Sequence, residues 1–214
     1  MNIPLIKAKA EQYCKFDDPS KVYLLVLLAR KKENPDLTEK HKLEKCNRYV
    51  VHSVDDIPHA LSEMEKKAGL YPDIKFRVYL SVNRRCLKKG FGHVSWRLAQ
   101  LSMDLLNGNQ QAYTTLARLG SEWKSVLAEK PCRAERRFLF DVDFSNKTEE
   151  GQLAYSRFLD TLYPLSVTIH HSGPTLNGYA VITDPFNIND LGGLPEHVEL
   201  KSDDYLYLGV LNND

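Results

Sequence analysis

The sequence predicts one α+β domain, with a mixed or antiparallel sheet, flanking helices and a helical insertion over about residues 84–129. Three observations lead there. Runs at 21–28, 75–82 and 137–143 have the length and apolar or alternating pattern of strands. The stretch 84–129 changes to helical spacing, and strand-type runs then resume. No repeat, low-complexity tract or linker cuts the chain, so residues 1–214 read as a single α/β-type domain.

In chain order, Asp17-Asp18-Pro19-Ser20 is a turn that feeds Lys21 to Leu28, a short apolar run suited to a strand buried on both faces. A polar connection from Arg30 to Lys45 carries the turn signal Asn34-Pro35-Asp36, and Arg48 to His52 is a short strand. Ser53-Val54-Asp55-Asp56 has capping-box spacing and opens a helix to about Ala68, with Gly69 as its stop. Lys75 to Val82 alternates, placing Phe76, Val78, Leu80 and Val82 on one strand face. Two helices follow, Arg84 to Leu106 and Gln110 to Glu129, separated by Asn107-Gly108-Asn109. Trp96, Leu101, Leu105, Leu116, Leu119, Trp123 and Leu127 are expected to form their core. The remainder reads as a strand from Arg137 to Asp143, a helix from about Thr148 to Leu162, and strands at Ser166–His171, Gly178–Thr183 and Tyr205–Leu211.

The bulk numbers exclude the unusual classes. With 43% hydrophobic and 27% charged residues, 29 Lys+Arg against 28 Asp+Glu, the chain is neither disordered nor membrane-spanning in composition. A net charge of +1 means that any polynucleotide contact needs a local basic patch. Cysteines at 14, 46, 86 and 132 form no C-x-x-C pair, which points to reduced thiols. Lysines and Pro4 interrupt residues 1–10 where a secretion signal would be apolar, and the run Val22 to Ala29 is far short of the ~20 residues that span a bilayer. A cytoplasmic protein without a membrane partner is the expectation.

The stretch Phe138-Leu139-Phe140-Asp141-Val142-Asp143 carries the strongest chemical signal. Residues two apart on a strand share a face, so Asp141 and Asp143 point one way while Phe138, Phe140 and Val142 fill the other. Two carboxylates side by side repel unless a cation neutralises them, and Mg²⁺ or Mn²⁺ suits oxygen ligands. The competing interpretation is a pair of solvated acids at a strand end. Just upstream, Arg133, Arg136 and Arg137 form a basic cluster suited to phosphate, or else a charged strand edge that discourages aggregation. Thr168 to Ile182 reads as a hairpin with a Gly/Pro turn. Its adjacent His170 and His171 face opposite sides, so at most one of them, taken to be His171, serves a given site.

A strand ending in Asp-x-Asp, then a helix, a strand, and a glycine-containing turn into another strand resembles the catalytic core of archaeo-eukaryotic primases and the primase-polymerases of phages and plasmids. The resemblance covers about residues 130–210 and the Arg77-to-Asn83 strand, with the first motif the close match. It implies an RRM-like core for DNA replication, a metal-dependent nucleotidyltransferase site, and as partners a nucleoside triphosphate and single-stranded or primed nucleic acid. By the same resemblance Asp141, Asp143 and Asp204, with Asp203 as the alternative, are the metal-binding and catalytic acids, and Asn177-Gly178 belongs to the nucleotide-binding element. The chain departs from the pattern at Ala180, where the family has a histidine. Alanine offers phosphate no donor, so His170 or His171 substitutes or nucleotidyl transfer is weakened or lost. Two other expectations stand beside this one: a metal-dependent nuclease using the same aspartates, and a non-catalytic phage- or plasmid-type protein that binds nucleic acid or a protein partner.

Overall fold

In the computed structural model, which describes residues 3–35 and 46–211, β1 (Lys21–Ala29) is the axis of the first sheet. It pairs antiparallel with β2 (Cys46–Val51) and β3 (Phe76–Ser81), and β9 (Tyr205–Leu211) adds to β3, giving the order β2-β1-β3-β9. The two-residue β4 (Arg85–Cys86) pairs with the start of β1. The turn residue Asp36 and the rest of the connection to Lys45 lie outside the described residues.

Strand β1 is buried on both faces because its alternate residues enter different cores. Tyr23, Leu25 and Leu27 join Val78, Leu80 and Val82 beneath α1 (Ile3–Tyr13) and α2 (Asp56–Gly69). Val22, Leu24 and Val26 face the helical insertion instead. Helix α1 has no counterpart among the sequence expectations, although Ile6, Ala10 and Tyr13, the residues it buries, recur at helical spacing. At the start of α2, Asp56 supplies the backward half of the expected capping box, accepting from Ser53 N at 3.0 Å and His52 N at 2.7 Å. Gly69, expected as the stop after Ala68, is instead the last helical residue, and Leu70 follows as the cap.

The insertion contains three helices rather than two: α3 (Leu87–Leu106), α4 (Gln110–Ala117) and α5 (Leu119–Leu127), with the extra break at Arg118. Its expected core is corrected too. Leu101 and Leu127 are buried, but Trp96 is 63% exposed and Leu116 45% exposed. The insertion meets the first sheet through Leu127 and Trp123 of α5 and Leu87 of α3, and Trp96 and Leu116 lie outside that contact among the described residues. The side chain of Leu119 lies outside the described residues.

The second sheet has the order β6-β7-β5-β8, from β6 (Ile169–Pro174), β7 (Tyr179–Thr183), β5 (Phe138–Val142) and β8 (Val198–Lys201), again antiparallel. Phe138, Phe140 and Val142 pack with Phe158 and Leu162 of α6 (Glu149–Leu162), which Thr148 caps by accepting from Gly151 N at 3.2 Å. On the other face, Leu139, Ala180 and Ile182 join the core beneath the first sheet, so the two sheets share apolar packing at one end. The result is an α+β fold with antiparallel sheets, flanking helices and a helical insertion, built on two sheets instead of one.

A polar joint reinforces that shared end. Buried Asn83 accepts from Arg137 N at 2.8 Å and donates to Asp203 at 3.0 Å, while Arg85 holds Asp203 through contacts of 3.0 and 3.2 Å. Arg84 pairs with Glu135 at 2.8 Å and with Asp17. The buried guanidinium groups of Arg84 and Arg85 thereby face carboxylates where water is scarce. No helix among the described residues is long and apolar enough to cross a membrane.

Candidate functional site

Residues of both sheets line a cleft of about 850 Å³. This is toward the upper end of the ~300–1,000 Å³ typical of ligand sites. One wall is the face of the first sheet that carries Val26, Arg48, Arg77, Tyr79 and Tyr207; the other is the face of β5, β7 and β8 that carries Leu139, Asp141, Ala180 and Lys201.

Strand alternation explains how Asp141 reaches this cleft. Phe140 and Val142 are consumed by the α6 core, so the side chains between and beyond them, Asp141 and Asp143, belong to the opposite face. Asp141 stands across from Ala180 on one side and Glu199 on the other. Lys201, two residues after Glu199, shares that face and places its ammonium among the acids. Its Nζ lies 2.6 Å from Asp141 Oδ2, 3.5 Å from Glu199 and 3.7 Å from Asp204 Oδ2. Partial burial pulls the Lys201 pKa down, but the hydrogen bond to Asp141 and the charges of Asp141, Asp204 and Glu199 prevail and hold it above the ordinary lysine value.

The Asn177-Gly178 turn closes over the same cleft. Gly178 N donates to Thr175 Oγ1 at 3.2 Å, and Asn146 Nδ2 donates to the carbonyls of Thr175 and Gly178 at 2.9 and 3.0 Å. A Cβ on Gly178 would stand 2.2 Å from the carbonyl oxygen of Val142, so glycine lets this turn press on the end of the Asp-bearing strand.

Of the residues singled out in the sequence, Asp141, Asp143, Asp204, Asn177 and Gly178 line this one cleft. The others have different surroundings. Arg133 donates to the Ser202 carbonyl at 2.8 Å, and the Arg136 guanidinium lies 5.3 Å over the Phe138 ring. Arg137 is buried, donating to Tyr13 Oη at 3.0 Å and pairing with Glu135 at 3.2 Å. His170 and His171 diverge, at an irregularity in the β6–β7 register between Ile169 and His171. His170 Nε2 is 2.6 Å from Asp184 Oδ1, whereas the His171 ring stands edge-on to Tyr13 at 6.1 Å. None of these five lines the cleft. Asp203 is likewise committed to Arg85, which leaves Asp204 as the acid that faces the site.

Sequence reasoning missed Lys201, because β8 is only four residues long. The signal was present in the period-two pattern Val198-Glu199-Leu200-Lys201. It also missed Arg48, Tyr79 and Tyr207, whose common face depends on pairing between distant strands.

Among the described residues no three His, Cys, Asp or Glu side chains converge as a ready-made metal cage. The donor set does suit an ion shared with a ligand. Mg²⁺ is commonly bound by one or two carboxylates plus substrate phosphates, and Asp141 and Asp204 already surround one cationic group. No family model matches the chain, and no curated protein or solved structure shows significant similarity to it.

Proposed function

We propose that the cleft holds the phosphates of a nucleotide or nucleic acid strand against a divalent ion, Mg²⁺ or Mn²⁺, carried by Asp141 and Asp204. In this reading the chain is a primase-polymerase-like domain with an RRM-like core and weakened nucleotidyl transfer. One observation supports it above the others: carboxylates from two different sheets, Asp141 on β5 and Asp204 beside β9, flank a single cation, the Lys201 ammonium. The ion would neutralise phosphate oxygens when bound. Asp143 adds negative charge at the cleft, and Lys201, released from Asp141, supplies a mobile positive charge for phosphate. Asn177 offers a side-chain amide from a turn that Gly178 keeps close to β5. Ala180 contributes no donor beside Asp141, which is the reason for expecting weak transfer.

The test is the affinity for a nucleoside triphosphate with and without Mn²⁺, in the wild type and in Asp141→Asn. Binding should tighten with Mn²⁺ in the wild type and lose that response in the variant. An identical Mn²⁺ response in both proteins would remove Asp141 from the site. Primer extension with Mn²⁺ then measures how much transfer survives.

A second reading is a non-catalytic binding protein, and Lys201 is the observation that favours it. An ammonium 2.6 Å from Asp141 already compensates the acids without any metal. Ligand affinity that ignores Mn²⁺, together with no primer extension, would support this alternative.

A further inference from the structure

The first-sheet wall of the cleft carries residues that the acid site does not use. Strand register aligns Arg48 on β2, Val26 on β1, Tyr79 on β3 and Tyr207 on β9 in one row across the sheet. All four line the cleft. The Tyr79 and Tyr207 rings meet edge to face, with centroids 5.9 Å apart, and the Arg77 guanidinium lies 5.5 Å over Tyr207. Arg30 and Lys32 extend the positive charge of this wall, where Glu33 pairs with Arg77 and Asp204 stands just ahead of β9, whereas Asp141, Asp143 and Glu199 stand on or beside the facing one. The first-sheet side of the cleft is thus aromatic with more basic than acidic groups, and the facing side has more acids than bases.

We propose that this first-sheet wall binds a single-stranded polynucleotide by stacking bases on Tyr79 and Tyr207, with backbone phosphates drawn to Arg30, Lys32 and Arg48. Each component has a physical reason. Bases present flat faces only where the strand is unpaired, and aromatic side chains on an open sheet accept them without regard to sequence. Guanidinium groups bind phosphate oxygens and also stack on flat rings, which suits Arg48 in the row with the tyrosines, while Arg77, held by Glu33, serves as the cation over Tyr207. The acidic wall repels a polyanion and so presses the strand toward the tyrosines. A purely electrostatic site would need the basic residues alone, and a purely apolar one would not interleave arginines with the rings.

The inference deepens the proposed function by naming the strand that occupies the cleft, but it requires no metal ion. Binding is therefore measured in EDTA, by fluorescence anisotropy of labelled dT and U oligonucleotides, an abasic oligomer of equal phosphate number, and a duplex. The wild type should bind single strands more tightly than the duplex or the abasic strand. Comparison of the dT and U arms separates DNA from RNA. Tyr207→Ala should weaken single-strand binding by about 5- to 150-fold, the worth of one stacked base, while Tyr207→Phe, which keeps the ring, should stay within about twofold. Equal affinity for abasic and normal strands, or for duplex and single strand, would overturn the stacking proposal even if Tyr207→Ala failed to fold. So would no single-strand binding at all. Success in EDTA beside a failed Mn²⁺ response would sink the metal reading and leave this one standing.

Discussion

Asp203 and Asp204, adjacent ahead of β9, send their carboxylates to different places. Asp203 lies 3.0 Å from the guanidinium of Arg85, which is 1% exposed, whereas Asp204 lines the cleft with Oδ2 3.7 Å from Lys201 Nζ. Neutralising each aspartate should therefore have unequal effects. Asp203→Asn leaves a buried guanidinium without its counter-charge and should cost about 3–5 kcal/mol of stability. Asp204→Asn removes a partly exposed contact and should cost no more than about 1 kcal/mol. Urea unfolding of the two variants decides, and equal losses would contradict this division of roles.

Lys201 competes with any cation for Asp141, Glu199 and Asp204. Lys201→Met should raise Mn²⁺ affinity tenfold or more, because relief of about 1.4 kcal/mol of repulsion is enough for that. Calorimetric titration without nucleotide provides the measurement. Unchanged or weaker Mn²⁺ binding in Lys201→Met would mean that the ammonium does not occupy the ion's position.

Gly178 and Gly92 should answer alanine with opposite signs. At Gly178 a Cβ meets the Val142 carbonyl oxygen at 2.2 Å, a backbone atom held in the sheet, so Gly178→Ala should destabilise by about 1–3 kcal/mol. At Gly92, within α3, a Cβ meets nothing within 4 Å. Gly92→Ala should then stabilise by about 0.5–1 kcal/mol through helix propensity. Paired denaturation curves provide the check.

Stability should fall on mild acidification because of His171. Burial, helped by the charge of Lys9, holds its folded-state pKa below the ordinary histidine value. The unfolded chain then binds the proton more readily. His171's contribution is fully present above the unfolded pKa of about 6.5 and is lost as pH falls from there through the folded pKa. Wild-type unfolding free energy should decline as pH drops below about 6.5, and His171→Phe should flatten that slope. A slope that survives in the variant would assign it to another group.

Sequence alone determined most of the secondary structure and one half of the candidate site. Period-two alternation placed Phe76, Val78, Leu80 and Val82 on one face of β3, and set Asp141 and Asp143 opposite Phe138, Phe140 and Val142. These relations span only a few residues, and backbone geometry dictates them wherever the strand finally sits. Tertiary structure alone decided which charges meet. Arg133, Arg136 and Arg137 are contiguous with the acidic strand, yet they turn to the Ser202 carbonyl, Phe138 and Tyr13. Lys201, 60 residues from Asp141, reaches it because β8 pairs with β5. The row from Arg48 to Tyr207 likewise exists only through the pairing of four strands drawn from across the chain. Side-chain direction follows from local stereochemistry, but cross-strand neighbours follow from the sheet order and register that bury the most apolar surface, and those emerge only when the whole chain folds.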